Sequence, residues 1–226
     1  GLSDDELNRL RELVILFLYE KELVAAGGYA LSGDMRLKIA AQACLPVLNL
    51  GLDYYAGWVS IIVYPDEFVP EHEFMDEDGV VHQMREPMIG ESWERGPVVL
   101  SAADVECSGE YDGVNVVIHE FAHKLDMLNG APDGFPPLHR EMDRIAWTQA
   151  FSGAFDDFGA KVESDAETVI DPYAAESPAE FFAVLSEVFF EIPHTLLREY
   201  PEVYRQLAEF YRQDPAARMS EEAGCA

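Results

Sequence analysis

Basic residues are scarce in this sequence. Only 15 lysines and arginines stand against 43 aspartates and glutamates, a formal net charge of −28. A protein that tracks a phosphate backbone needs a basic face, so direct nucleic-acid binding is not expected. An anionic membrane surface would repel the chain as well. The acidic excess favours solubility and, where it faces a partner, a cationic one. Cysteine is scarce too. Cys44, Cys107 and Cys225 are odd in number and far apart, which excludes a disulfide framework and a CxxC metal site. A reducing cytoplasm is the expected setting. Long apolar runs are missing: "LVILFLY" spans residues 13–19, far short of the roughly 20 residues that cross a bilayer. No secretory signal pattern, internal repeat, low-complexity run or linker stands out. What is present is a chain of 226 residues, 49% hydrophobic and 26% charged, enough for one domain with a sizeable core.

The pattern along the chain is helices, a small sheet, then helices. Ser3 and Glu6 form a capping-box signature, and Leu7, Leu10, Leu13, Val14 and Phe17 follow at helical spacing, with Gly27-Gly28 as the expected stop. A second helix is expected from Asp34 to the break at Pro46. "WVSIIVYP" reads as a strand ended by Pro65, "EHEFMDEDGVVHQM" as a hairpin turning at Asp78-Gly79, and "GPVVLSAADV" as another strand. Helical periodicity returns from Asn115 and stops at Asn129-Gly130. A helix is expected over 138–152, and 155–172 reads as polar and irregular. Ser177 and Pro178 open the apolar helix "AEFFAVLSEVFFE", with Pro193 after it, and a last helix is expected from Glu202 to Gln213. This makes a single α+β domain over 1–226, in three stretches: helical over residues 1–55, a small sheet over 56–105 and helical again over 106–226.

The last stretch carries "VVIHEFAHKL", residues 116–125. At about 100° per residue, His119 and His123 lie on one helical face and can reach one metal ion. Glu120 is turned about 100° from His119, placed to take a proton from an activated water without binding the metal. This is the chemistry of the HExxH pattern. The plainer reading is a core helix with two buried histidines. Against it, a glutamate buried between them is costly without a cation.

A catalytic zinc site needs a third protein ligand. The pattern HExxHxxGxxH is excluded, because Asp126 stands where the glycine is needed and Asn129 where the third histidine is. A carboxylate from a second helix is the other route. Glu141 and Asp143 lie about twenty residues on, but read as the polar face of a helix with Met142, Ile145 and Ala146 on its apolar side. His139 follows a Pro-Pro turn and reads as exposed. Glu180 is a better candidate, because its helix is otherwise apolar: Phe181, Phe182, Val184, Leu185, Val188 and Phe189 leave little polar face. Glu187, two turns on, shares the face of Glu180. One can bind the metal while the other supports a histidine; the plain alternative is that both are solvated. Composition does not choose between them.

Several long strings carry a resemblance that does. "IAAQACLPVLNLGLDYYAGW", "IIVYPDEF", "GESWERGPVVLSAADV", "VIHEFAHKLDMLNG", "DPYAAESPAEFFAVLSEVFF" and "EFYRQDP" together resemble the Mlc titration factor A family of zinc-dependent peptidases, of the gluzincin type. The resemblance runs nearly end to end and implies a zincin-like fold with an HExxH active-site helix. It implies one zinc per chain, held by His119, His123 and Glu180, with Glu120 as general base. The family is in turn similar to the catalytic domain of anthrax lethal factor, where a tyrosine seven residues before the third ligand helps stabilise the transition state. That position is Tyr173 here, and a phenol there can donate to a developing oxyanion. Asp126, on the same face as His123, is a candidate to hydrogen-bond a ligand histidine, as is Glu187. In zincins an edge strand aligns the substrate backbone, and "PVVLS" is in the right order for it. The substrate class implied is a peptide or protein. The family's founding member binds the glucose repressor Mlc, so a transcriptional repressor is the implied partner. The alternative to a peptidase is a regulatory protein that sequesters such a repressor, with peptidase activity vestigial.

Overall fold

In the computed structural model, the described residues are 1–66, 96–219 and, for the backbone alone, the strand segments 72–75, 81–84 and 90–92. Helix α1 (Asp4–Glu20) opens with the Ser3–Glu6 capping box, both reciprocal bonds present. It ends at Glu20, earlier than the expected stop at Gly27-Gly28. The reason lies in Lys21. Its ammonium is buried and needs acceptors, which it finds in the carbonyls of Tyr55 (2.5 Å) and Trp58 (2.7 Å). Anchored there, the chain turns extended and forms strand β1 (Glu22–Ala25). Only Leu23 of that strand is buried, so a four-residue segment carried too little alternation to be read as β. Helix α2 (Gly33–Cys44) is capped by Ser32 and stops just before Leu45-Pro46, as expected.

Strand β2 (Ser60–Tyr64) alternates as a half-buried strand should, with Ile61 and Val63 inward. The segments β3 (His72–Met75) and β4 (Val81–Met84) pair antiparallel, as a hairpin requires. The turn expected at Asp78-Gly79 lies outside the described residues. Strands β5 (Gly90–Ser92) and β6 (Val98–Ser101) complete a four-stranded sheet in the order β1-β2-β6-β5. The pairs β1–β2 and β2–β6 are parallel; β5 runs antiparallel to β6. All four residues of β6 are buried, as suits a strand with neighbours on both sides. The expectation that "PVVLS" is an edge strand is therefore corrected: β5 is the edge on that side.

Short helix α3 (Ala102–Cys107) leads to α4 (Val116–Asp126), which a 3-10 turn extends to Asn129. Helix α5 spans Arg144–Glu163, later and longer than the expected 138–152. Asp143 is its N-cap rather than a member of its polar face, and Ile145 is exposed. The stretch 155–172 is helical to Glu163, because Trp147, Phe151, Ala154 and Phe158 keep one buried stripe in phase across it. Helix α6 (Pro178–Glu191) has Ser177 as N-cap and Pro178 at its first position. Helices α7 (Pro193–Glu199), α8 (Pro201–Tyr211) and α9 (Pro215–Arg218) follow, α8 ending two residues before Gln213.

One hydrophobic cluster runs from Leu13 to Ala216, with α4 and α6 at its centre. Phe121 of α4 packs against Phe17, Tyr55 and Trp58, with ring centroids 5.6, 4.9 and 5.7 Å away. Phe181 and Phe182 of α6 meet the aromatic stripe of α5. The two helices are thus clamped from opposite sides, and their facing stripes are where the polar residues collect. Among the described residues, no helix is long and apolar enough to cross a membrane.

Candidate metal centre

Helix α4 is apolar on nearly every face. Val116, Val117, Ile118, Phe121, Ala122 and Leu125 are all buried, and this carries Glu120 and His123 into the interior with them. Helix α6 lies against α4 in the opposite direction. The early turn of α6 (Glu180) meets His123 and His119, while a later one (Glu187) meets His119 and Asn115.

Three donor atoms converge at this contact. His119 Nε2 and His123 Nε2 are 3.2 Å apart, and Glu180 Oε2 is 3.1 Å from the first and 3.3 Å from the second. Among the described residues this is the one His/Cys/Asp/Glu group with the proximity a metal ion requires. Four tetrahedral ligands at about 2.0–2.1 Å from zinc are about 3.3–3.4 Å from one another, so the spacing of this triangle fits the ion. Tautomer supports the fit. His119 Nδ1 lies 2.7 Å from Glu187 Oε1, so Nδ1 carries the proton and Nε2 turns its lone pair towards the triangle.

The other carboxylates are engaged elsewhere. Glu141 is exposed and pairs with Arg212 at 3.0 Å. Asp143 caps α5. His139, expected to be exposed, is half-buried and bonds the carbonyl of Phe210 at 2.8 Å through Nε2. Asp126 Oδ2 accepts from the backbone N–H of Gly134 at 2.8 Å. Its Oδ1 is buried without a hydrogen-bond partner among the described residues, and so is His123 Nδ1.

The electrostatics follow from burial. Burial opposes protonation of His119, yet the hydrogen bonds its ring donates to the Glu180 and Glu187 carboxylates outweigh it and raise its pKa well above the usual imidazole value. Burial likewise opposes ionisation of Glu180, but bonds from both histidines hold its pKa down at about 2. Protons and a metal therefore compete for the same nitrogen lone pairs. Glu120 is only 3% exposed, and its Oε2 has no hydrogen-bond partner among the described residues. Burial pushes its pKa up to about 7 against the pull of the two imidazoles.

Tyr173 lies on the 3-10 turn Pro172–Ala175, pinned by Asp171, whose side chain accepts from the Tyr173 N–H at 2.9 Å. Its ring centroid is 6.1 Å from that of His119, and the residue is 45% exposed. Partial burial, with Glu180 nearby, raises its pKa to about 12, so it stays a phenol and a donor at neutral pH.

Two polar residues at this contact were not singled out by motif. Asn115 is the N-cap of α4, and Glu191 is buried and bonded to it. Their signal in the sequence is spacing: Asn115 stands four residues before His119, and Glu191 four after Glu187.

Fold and donor set define a class first: a mostly helical α+β protein with a two-histidine, one-carboxylate site able to hold a divalent metal. The comparison with known proteins narrows this. The chain belongs to the glucose-regulated metallo-peptidase M90 family, whose model matches residues 1–212. It is similar to proteins named Mlc titration factor A. Identity is 37% over 226 residues with that of Enterobacter sp., covering 99% of this chain and 85% of the relative. It is 38% over 222 residues with that of Klebsiella pneumoniae, covering 97% and 84%. It is 38% over 221 residues with that of Cronobacter sakazakii, covering 97% and 83%.

Proposed function

We propose that this chain is a zinc-dependent peptidase, acting as one unit over 1–226 in the cytoplasm. It hydrolyses peptide bonds with zinc held by His119, His123 and Glu180. The observation that carries the reading is the triangle of donor atoms 3.1–3.3 Å apart, with the buried Glu120 next to it in sequence. A bound zinc ion supplies Lewis acidity, polarising the scissile carbonyl and acidifying water. Glu120 takes the water's proton as the carbonyl is attacked and delivers it to the leaving amine. Tyr173 donates its phenolic proton in a hydrogen bond to the oxygen on which negative charge develops. Glu187 fixes the tautomer of His119. We assign Asp126 the same part for His123 on the ground that Asp126 Oδ1 and His123 Nδ1 are both buried and unpartnered among the described residues, with no hydrogen bond joining them in the structure. The edge strand β5, antiparallel to β6, is where a substrate backbone adds to the sheet.

The test is metal content and its dependence on the third ligand. Elemental analysis should find about one zinc per chain, lost in Glu180→Ala together with peptide hydrolysis. Zinc retained at parent stoichiometry in that variant would refute the ligand set. Tyr173→Phe should lower kcat with zinc content unchanged.

A second reading has one observation behind it, the name of the relatives at 37–38% identity. A chain of this kind can bind a transcriptional repressor such as Mlc without cleaving it. Pull-down with purified Mlc separates the readings: a binding role survives Glu120→Gln and a peptidase role does not.

A further inference from the structure

Helix α6 carries three glutamates on one face. Glu180, Glu187 and Glu191 are seven and four residues apart, within about 40° of one another around the helix axis. Opposite them, antiparallel α4 presents Asn115, His119 and His123, each four residues from the next. Side chains join the two stripes rung by rung. Glu180 meets both histidines. Glu187 Oε1 meets His119 Nδ1, and its Oε2 accepts from the Asn115 N–H at 2.5 Å. Glu191 completes the ladder: its Oε1 accepts from Asn115 Nδ2 at 2.7 Å and its Oε2 from the Tyr111 N–H at 2.9 Å.

The proposed chemistry uses the first two rungs and leaves Glu191 without a role. It is 4% exposed, so a carboxylate has been placed in the core at a position that touches no candidate ligand. What it touches is the entry to α4. Asn115 Oδ1 caps the helix by accepting from the Ile118 N–H at 3.0 Å, and its carbonyl accepts from the His119 N–H at 2.9 Å. The side chain of Asn115 is therefore held at both ends, by Glu191 on one side and by the first turn of α4 on the other. The second bond from Glu191 holds Tyr111, whose φ of +59° is a left-handed conformation that residues with side chains rarely adopt. Both acceptor oxygens of Glu191 thus fix the turn that feeds the metal helix.

We propose that Glu191 is a positioning residue for the metal centre. By holding Asn115 and the backbone at Tyr111, it sets the start of α4 and, through it, the placement of His119. The inference rests on the zinc reading given above. It gives a role to a residue outside the ligand set and its immediate hydrogen-bond partners.

The test is zinc affinity, measured on the whole chain by competition with a chromophoric chelator, alongside the visible spectrum of the cobalt-substituted protein. Glu191→Gln keeps shape but leaves one acceptor oxygen for two donors; Glu191→Met removes both. Affinity should fall roughly tenfold in the first and further in the second, as when other partners of metal ligands are removed. The cobalt bands should shift. Asn115→Ser keeps a capping hydroxyl but loses the amide donor, and should show a loss that is not additive with Glu191→Gln. Ser186→Ala is the control. It weakens the same helix, where Ser186 Oγ donates to the Phe182 carbonyl and accepts from Tyr211, without touching the ladder. It should lower thermal stability and leave zinc affinity unchanged. Should Glu191→Met not fold, Glu191→Gln decides. Parent-like affinity and an unshifted cobalt spectrum in Glu191→Gln would overturn the inference, as would an equal loss in Ser186→Ala or additive losses with Asn115→Ser. Failure of the parent to bind zinc would instead overturn the peptidase reading itself.

Discussion

Glu187 Oε1 lies 2.7 Å from His119 Nδ1, and Glu187 Oε2 accepts from the backbone N–H of Asn115, four residues before that histidine. One buried carboxylate thus holds both the imidazole and the start of the helix that carries it. Replacing Glu187 with glutamine leaves one acceptor for two donors and weakens control of the tautomer. Zinc affinity should fall about 10- to 100-fold, with the fold retained by circular dichroism. Parent affinity in Glu187→Gln would show that the contact is only packing.

Gly134 ties the loop after α4 to both helices of the candidate metal site. Its N–H donates to Asp126 of α4, and its Cα faces the Pro178 carbonyl at the start of α6. A Cβ there would sit 2.4 Å from that oxygen, on a backbone with φ of +75°. Gly134→Ala should cost about 2–3 kcal/mol by chemical denaturation and lower zinc affinity with it. A loss below about 0.5 kcal/mol would mean that the loop yields freely.

Ser177 accepts from the Glu180 N–H through its side chain at 3.2 Å, capping α6 one turn before the candidate ligand. Ser177→Ala should cost about 1 kcal/mol. For a chain of this size that lowers the midpoint of thermal unfolding by about 2–4 °C, measurable by calorimetry.

The two described cysteines should differ in reactivity. Cys44 is buried, and burial pushes its pKa up to about 12; Cys107 is exposed. At pH 8 only on the order of one Cys44 in 10⁴ is thiolate. Iodoacetamide should label Cys107 in the native protein and Cys44 only after unfolding, by peptide mass mapping. Rapid native labelling of Cys44 would contradict its place in the core.

Much of the candidate metal site was legible because its signals are local. The histidine spacing, the apolar residues around it and the Ser177-Pro178 cap of α6 each lie within one element. Spacing alone left Glu180 and Glu187 unresolved, because they share a helical face. What separates them is a tertiary fact: α4 runs antiparallel across α6, so one meets Nε2 and the other Nδ1 of the same ring. Strand β1 was illegible for a similar reason. Four residues with one buried side chain carry no periodicity, and their pairing with Ser60–Val63 is long-range. Helix α5 was misplaced because the polar residues of "FDDFGAKVE" hid the continued register of Trp147, Phe151, Ala154 and Phe158. The edge position of β5 depends on sheet order, which no local pattern states.

In the proposed mechanism Glu120 performs proton transfer beside a metal held by other residues. Its carboxylate is buried, with Oε2 unpartnered among the described residues, and it belongs to no bond of the donor triangle. Glu120→Gln is therefore the most direct measurement, with zinc content and peptide hydrolysis read on the same preparation. Zinc stoichiometry should match the parent, with a rate lower by about 10²- to 10⁴-fold. Hydrolysis at the parent rate with zinc bound would contradict that mechanism.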